Sequence, residues 1–252
     1  MNSWYRPEFG YAGCVATVVR EARTLKHQVV RRQVECLLDQ LSVGDQVPSE
    51  RDLATRFDVA RETVRQALRE LLVDGRIERR GRSTVVAGPK IVQPLVIGSY
   101  TEAALLEGRS AGRVLVAWTD LVADDELACR LGLEPGDPVL ELERVLLTDG
   151  VHVGLERTRL PTHRFPDLRR TLDPSSSLYA AIRSYGITFA RAVERIETTL
   201  PDAREAALLD ADTRTPMLLL ERISYDENDV PIEHRRSLYR GDRMSFVTTV
   251  TP

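Results

Sequence analysis

Apolar residues recur at helical spacing in the stretch RETVRQALRELLV, from Arg61 to Val73. At about 100° per residue, one side of this helix carries apolar residues that must face a core: Val64, Ala67, Leu68 and Leu71. The opposite arc carries long hydrogen-bonding side chains: Glu62, Arg65, Gln66 and Arg69, with Thr63 at its edge. Such side chains can reach base edges and phosphates in the major groove of DNA. The alternative interpretation is an ordinary surface helix with a solvated charged face.

The segments on both sides of this helix favour DNA binding. A shorter helix precedes it, for which Ser49 is a good N-cap and Glu50 and Asp52 suit the positive helix end. The turn Phe57-Asp58-Val59-Ala60 between the two helices is short. Arginines crowd around Gly81 in the hairpin that follows: Arg79, Arg80 and Arg82. The order helix, turn, helix and basic hairpin predicts a DNA-binding module whose wing touches the phosphate backbone.

The stretch from Pro48 to Gly75 resembles the winged helix-turn-helix of the GntR family of bacterial transcription regulators, with the pattern PSERxLAxxFxVxRxTVRQALxxLxxxG. The resemblance implies DNA contacts from Arg51, Arg61, Thr63, Arg65 and Gly81. With the polar arc and the wing, the predicted DNA-binding residues are Arg51, Arg61, Glu62, Thr63, Arg65, Gln66, Gly81 and Arg82. The wing reads Gly81-Arg82-Ser83-Thr84 where the family has G-x-G-T. Glu62 replaces a small hydroxyl residue of many relatives, and could accept a hydrogen bond from cytosine N4 or favour the helix N-terminus.

Formal charge separates the chain into two parts. Residues 1–90 hold 16 Lys and Arg against 12 Asp and Glu, a net charge of +4, whereas the remainder carries −7. A basic front and an acidic back fit a DNA-binding module joined to a domain with another task. The three cysteines are scattered and lack metal-ligand spacing: Cys14, Cys36 and Cys129. No apolar run approaches the roughly 18 residues of a membrane span. We therefore expect a cytoplasmic protein with no membrane partner, no metal and no cofactor.

These signals divide the chain into four predicted parts. Residues 1–22 form an N-terminal arm, and residues 23–87 form the winged helix-turn-helix domain, whose first helix runs from about Arg23 to Leu41. Gly88-Pro89-Lys90 opens a linker over residues 88–94, because Gly and Pro both resist continuing the wing strand. Residues 95–252 form a second domain, to which we assign effector binding and dimerisation.

The second domain contains an internal repeat with a constant offset of 78 residues. Its first copy, Asp124, Ala128, Leu131, Pro138, Leu140, Leu142, Glu143 and Arg144, recurs as Asp202, Ala206, Leu209, Pro216, Leu218, Leu220, Glu221 and Arg222. Each copy reads as a short helix, a turn and two strands. Two copies are too few for a solenoid, so the repeat predicts one α+β domain around an antiparallel sheet.

Polar side chains interrupt two predicted strand faces. Alternation places Arg144 in an apolar row with Leu140, Leu142 and Leu146, where an unpaired charge would be costly. One face of Ile232–Tyr239 carries four polar residues: Glu233, Arg235, Ser237 and Tyr239. This face is either exposed to solvent or forms the wall of a polar pocket in which Arg144 binds an anion.

About residues 95–250 resemble the effector domain of the HutC subfamily, known as UTRA, which shares its fold with chorismate lyase. The resemblance rests on Ser177-Leu178-Tyr179, Glu156 and the ending LYRGDR followed by Ser245-Phe246. Within the subfamily the chain looks most similar to regulators of N-acetylglucosamine use, which bind phosphorylated aminosugars. The resemblance implies phosphate contacts from Ser99, Arg144 and Ser177, and sugar contacts from Glu156, Glu233 and Tyr239. The remaining predicted effector-binding residues are Tyr100, Thr101, Tyr179 and Arg235.

One position departs from the UTRA pattern. The second arginine of an Arg-x-Arg strand is Leu146 here, and this removes a charge-assisted partner worth about 1.5–3 kcal/mol. Either Arg235 or Arg222 supplies the missing charge, or the effector carries less negative charge.

The hairpin at Asp149-Gly150 bears on whether Arg144 and Glu156 share a face of the sheet. A two-residue turn between regular strands sets them on opposite faces, whereas a three-residue loop with Gly150 in the left-handed region sets them on one face. The pocket hypothesis needs one face, and therefore predicts the three-residue loop Thr148-Asp149-Gly150.

Three functions are consistent with these patterns. The first is a transcription regulator, expected to be a repressor, which binds a palindromic operator as a homodimer and is released by a small anion such as an aminosugar phosphate, or by a phosphonate, amino acid or other carboxylate. The second is an enzyme, which is disfavoured because the four histidines form no catalytic or metal-binding motif: His27, His152, His163 and His234. The third is a regulator with a vestigial pocket, which Leu146 favours.

Overall fold

The computed structural model describes residues 26–81, 83–98, 100–106 and 108–250. The predicted N-terminal arm, Arg82 and Ser99 lie outside the described residues. The first part of the chain forms α1 (Lys26–Leu38), α2 (Glu50–Phe57) and α3 (Arg61–Val73), followed by an antiparallel hairpin of β1 (Ile77–Arg80) and β2 (Ser83–Val86).

The core of this first part is built on the apolar face of α3. The four residues predicted to face it are buried: Val64, Ala67, Leu68 and Leu71. They pack with Val30 of α1 and Leu53 of α2. Ser49 caps α2 by accepting a hydrogen bond from the Asp52 amide, and Asp58, at φ 51°, ends it in the left-handed conformation. Local capping therefore sets the short turn that presents α3 outward.

The second part of the chain contains the remaining elements in this order: β3 (Ile91–Pro94), α4 (Tyr100–Leu106), β4 (Ala111–Val122), α5 (Asp125–Leu131), β5 (Pro138–Thr148), β6 (Val151–Pro161), a 3-10 turn (Thr162–Arg164), α6 (Leu168–Thr171), α7 (Leu178–Ser184), β7 (Arg191–Thr199), α8 (Ala203–Leu208), β8 (Met217–Tyr225), β9 (Pro231–Arg240) and β10 (Met244–Val247). Among these described residues, no helix is long and apolar enough to cross a membrane.

Six of these strands form an antiparallel sheet in the order β4-β5-β6-β9-β8-β7. The order is symmetric about the β6–β9 pair, so the two copies of the internal repeat occupy the two halves of the sheet. The repeated aspartates have the same role in both copies, since Asp124 caps α5 and Asp202 caps α8. The prediction of an α+β domain around an antiparallel sheet is confirmed.

Helices cover both faces of the sheet. On one face, Leu140, Leu142 and Leu160 pack against α6 and α7, forming a core with Leu168 and Ile182. On the other face, α5 packs through Leu127 on Val139, and the end of α8 contributes Leu208 and Leu209 to a cluster with Val145, Leu155 and Leu238. The polar residues of β5, β6 and β9 discussed below lie on the first face, so helices and loops enclose them.

The predicted three-residue loop at Asp149-Gly150 is wrong. Thr148 pairs with Val151 around a two-residue turn in which Asp149 (φ 50°) and Gly150 (φ 79°) both adopt positive φ, as a type I′ hairpin requires. The register then shifts, because Val153 is an extra residue in β6: Leu147 pairs with His152, but Leu146 pairs with Gly154. This bulge brings Arg144 directly opposite Glu156, so the shared face was predicted correctly for the wrong reason.

The turn between β9 and β10 contacts the first part of the chain. Arg243 pairs with Glu78 of β1, and Lys90 Nζ donates to the Gly241 carbonyl oxygen at 2.7 Å. β10 also pairs in parallel with β3, so residues 91–94 of the predicted linker are hydrogen-bonded to the end of the second part.

Candidate functional site

The polar arc of α3 is exposed. Arg61, Glu62 and Gln66 lie on the surface, as does Arg51 of α2, whereas Thr63 is half-buried. These exposed polar side chains form a surface that a large polar partner can contact.

Arg65 also faces outward, with 43% of its side chain exposed, but two carboxylates hold it. Its guanidinium donates to Glu50 Oε2 at 3.1 Å and to Glu62 Oε2 at 2.7 Å. Glu62 therefore has a structural partner that neither sequence interpretation considered. In the wing, Gly81 adopts φ +57° and nothing lies within 4 Å of the position that a Cβ would take.

A small cavity on the helix-covered face of the sheet gathers many of the predicted effector residues. We call it the arginine cavity; its volume is about 10 Å³, and it is lined by Tyr100, Arg113, Arg144, Glu156, Ser177, Leu178, Tyr179 and Arg235. Six of these eight residues were predicted from the sequence as effector-binding residues. Thr101 is half-buried on α4, beside Tyr100.

Arg144 and Glu156 form the centre of this cavity. Arg144 Nη2 donates to Glu156 Oε1 at 2.7 Å, and Arg144 Nη1 donates to the carbonyl oxygens of Pro174 and Ser176 at 3.2 and 3.0 Å. Burial opposes ionisation of Glu156, but the charges of Arg144 and Arg235 outweigh it and hold the pKa of Glu156 below its ordinary value. Glu156 is therefore a carboxylate.

Glu233 and Tyr239 do not line the cavity, although both are buried beside it. Glu233 accepts hydrogen bonds from Tyr179 Oη at 2.5 Å and Ser224 Oγ at 2.9 Å, so it supports the Tyr179 ring from behind. Burial raises the pKa of Tyr179, which keeps its hydroxyl protonated and able to donate. Tyr239 packs edge-on against Phe246 in an apolar cluster. Direct sugar contacts from these two residues would require rearrangement.

Arg222 and Arg235 were considered as substitutes for the arginine that Leu146 replaces, and they differ in whether a ligand could bind them. Arg222 donates to both carboxylate oxygens of Glu194 at 2.9 and 2.8 Å, so it is committed to a local pair. Arg235 lies on the cavity wall, 5.4 Å above the Tyr179 ring and 3.6 Å from Glu156 Oε2.

The sequence interpretation missed Arg113, which also lines the cavity. It is 9% exposed and projects from β4, directly opposite Leu146. The available signal was an arginine within the otherwise apolar run that begins β4, but its importance depends on which strand β4 pairs with.

A larger cavity of about 430 Å³ lies between β1 and the β5–β6 turn. Four of its arginines are paired with carboxylates: Arg80 with Glu78, Arg109 with Asp149, Arg240 with Asp242 and Arg243 with Glu78. Size alone does not make it the better effector site.

Comparison with known proteins identifies both parts of the chain. Residues 25–86 match the model for bacterial regulatory proteins of the gntR family, and residues 107–245 match the model for the UTRA domain. The chain belongs to the gntR family. It is therefore a DNA-binding transcription regulator with a UTRA effector domain, which confirms the predicted family and the prediction that the protein is not an enzyme.

Relatives of this gntR-family chain match along most of their length. The HTH-type transcriptional repressor PhnF of Mycolicibacterium smegmatis is 66% identical over 228 residues, which cover 90% of this chain and 93% of PhnF. The HTH-type transcriptional repressor NagR of Bacillus subtilis is 34% identical over 80% of this chain and 84% of NagR. The crystal structure of PhnF from Mycobacterium smegmatis aligns with a TM-score of 0.66 at 65% identity, covering 88% of this chain and 99% of that one.

Proposed function

We propose that this regulator is a cytoplasmic repressor that a small anionic metabolite, such as an aminosugar phosphate, releases from its operator. The observation that carries the proposal is the arginine cavity, in which three arginines and one glutamate converge at the centre of an effector domain. Buried arginines in a site of this kind are suited to bidentate recognition of phosphate or carboxylate groups. The word repressor in the names of PhnF and NagR supports the direction of regulation.

On DNA, the proposed contacts are the eight residues predicted from the sequence, with the exposed arc of α3 in the major groove. Two copies of the chain would place two such helices in successive major grooves of a palindromic operator. Apolar side chains exposed on both edge strands support dimer formation: Val114 and Leu115 on β4, and Val193 and Ile196 on β7.

Operator release tests this proposal. A duplex that binds the full-length chain is first selected from random-sequence DNA and labelled for fluorescence anisotropy. Glucosamine 6-phosphate, alkylphosphonates and amino acids are then added separately. The proposal expects an anionic compound to lower operator affinity by about 5- to 150-fold, the usual range for coupling between sites. If no anion changes the affinity while sequence-specific binding persists, effector control is wrong and DNA binding stands.

The small volume of the arginine cavity favours a second candidate, a regulator that responds to no ligand. Pro174 and Ser176 carbonyl oxygens already accept hydrogen bonds from Arg144, and about 10 Å³ is too little for a sugar phosphate. Ligand binding would therefore have to displace residues 173–177. Slower amide hydrogen exchange in that segment upon ligand addition is expected from the first candidate only.

A further inference from the structure

Among the residues that the structure describes, Arg113 is a buried cation without a hydrogen-bonding partner. It is 9% exposed, and no hydrogen bond or ion pair joins its guanidinium to any residue that the structure describes. Its guanidinium lies over the Tyr100 ring, whose centroid is 5.5 Å from Cζ. A guanidinium carries five N–H donors, and burying such a charge without an acceptor is costly. This arrangement is expected where a ligand supplies the acceptor.

The position of Arg113 is set by the pairing of β4 with β5. Arg113 lies directly opposite Leu146, and residues opposite each other on antiparallel strands project from the same face. Arg144 lies two residues before Leu146 and therefore also projects from this face. Burial is the largest cause that lowers the pKa of Arg113, and the positive charge of the neighbouring Arg144 lowers it further. The mutual repulsion of the two guanidinium groups favours an anion that bridges both.

Charge on the cavity wall distinguishes between kinds of anion. Arg113, Arg144 and Arg235 face one carboxylate, Glu156, so the lining carries an excess of two positive charges. A phosphoryl or phosphonyl dianion neutralises that excess, whereas a carboxylate neutralises half of it. Arg144 already donates to Glu156 and two carbonyl oxygens, although its Nε has no partner, and Arg235 forms an ion pair with Glu156 at 3.6 Å. Among the described residues, Arg113 is therefore the arginine of the three that makes neither a hydrogen bond nor an ion pair.

We propose that Arg113 is the second anion-binding arginine of this site, beside Arg144. It makes the site selective for a phosphoryl or phosphonyl dianion over a carboxylate. The inference rests on the proposed function, since it assigns the ligand class of the same cavity. It also replaces Arg222 as a candidate for the missing charge, because Arg222 is bound to Glu194, whereas Arg235 remains on the cavity wall beside Glu156.

The test is isothermal titration of the full-length chain at pH 8 with inorganic phosphate, methylphosphonate and acetate as probes. We expect phosphate and methylphosphonate to bind at least tenfold more tightly than acetate. Arg113→Met should weaken phosphate binding by roughly 10- to 150-fold, the equivalent of a lost charge-assisted hydrogen bond. Arg113→Lys should recover part of this loss, because lysine restores the positive charge but lacks the planar guanidinium group that binds an anion through two hydrogen bonds. Arg195→Met removes an arginine that is 70% exposed on β7, and serves as the matched control.

Thermal unfolding without ligand separates a binding role from a structural one. Removing an unpaired buried charge should leave the melting temperature of Arg113→Met unchanged or raised. A lower melting temperature with phosphate binding unchanged would make Arg113 structural and overturn the inference. Equal binding of acetate and phosphate by the wild-type chain would overturn the dianion selectivity. If the wild-type chain binds neither phosphate nor methylphosphonate, this inference fails, and the effector proposal is decided separately by operator release with glucosamine 6-phosphate. Equal phosphate binding by wild type and Arg113→Met likewise refutes the inference alone.

Discussion

Arg144 on β5 and Glu156 on β6 are paired directly across the strands, with Nη2 and Oε1 2.7 Å apart and both side chains almost fully buried. The geometry depends on the bulge at Val153, since a regular hairpin with the same turn would place the two side chains on opposite faces. The pair neutralises charge in the cavity while leaving Arg144 within reach of a ligand.

Replacing Arg144 alone should destabilise the protein as well as remove ligand binding. Arg144→Met leaves Glu156 buried with Arg235 as its remaining ion-pair partner, at 3.6 Å. Breaking a buried ion pair from one side costs about 3–5 kcal/mol, and urea unfolding should show a loss of this size.

The double variant Arg144→Met with Glu156→Met is the control for that experiment. Removing both charges restores much of the lost stability, because replacing a whole buried pair by apolar groups is often neutral. Phosphate binding should remain absent. If the double variant is as unstable as the single one, the loss reflects packing and not an unpaired charge.

The parts of the site that the sequence could predict are those set by periodicity within one element. The buried face of α3 and the shared face of Glu233, Arg235 and Ser237 follow from residue spacing alone. The bulge at Val153 does not, because an extra residue in a strand leaves the turn signal Asp149-Gly150 unchanged.

Arg113 could not be assigned to the site for a related reason. Its role depends on β4 lying beside β5, a long-range pairing that no local pattern specifies. The ion pair between Arg222 and Glu194 likewise depends on long-range pairing, because β7 carries Glu194 and lies alongside β8.

Arg65 should contribute directly to operator binding. Its side chain is 43% exposed on α3, so Arg65→Ala is expected to leave the fold intact. Loss of a base-edge contact costs about 1–3 kcal/mol and relaxes specificity at one position of the site. Anisotropy titration with the selected operator and with single-base variants measures both effects.

The matched control is Arg214→Ala, which removes an exposed arginine from the second part of the chain. It should bind operator as the wild type does. If Arg65→Ala also binds with unchanged affinity and specificity, the assignment of α3 to the major groove is wrong.

The ion pair between Arg243 and Glu78 should hold the two parts of the chain together. Glu78 is buried, and among the described residues its other ion-pair partner is Arg80, at 2.8 Å. Arg243→Ala leaves the carboxylate under-satisfied, which is expected to cost about 1–3 kcal/mol. Trypsin cleavage at Lys90 should become faster, whereas Arg195→Ala should cleave at the wild-type rate. Unchanged cleavage and stability in Arg243→Ala would show that this contact does not hold the parts together.

His234 should make the stability of the protein depend on pH. Its side chain is buried, and Nε2 lies 3.1 Å from Arg130 Nη1, so the ring accepts this hydrogen bond as a neutral imidazole. Burial, followed by the charges of Arg130 and Arg159, lowers the pKa of His234 to about 4, although Glu221 and Glu126 oppose the shift. In the unfolded chain the pKa is near 6.5.

Between about pH 6.5 and pH 4 the unfolded state therefore binds more protons at this residue than the folded state does. The stability that neutral His234 provides is complete above pH 6.5 and decreases as the pH falls to about 4, by up to about 3 kcal/mol. Urea unfolding of the wild type and of His234→Gln across this range should give curves that differ most at low pH, with the variant less sensitive. His163→Gln, which changes an exposed histidine, should follow the wild type. Parallel curves for wild type and His234→Gln would mean that the pKa of His234 is the same in the folded and unfolded states, and the predicted pH dependence would be wrong.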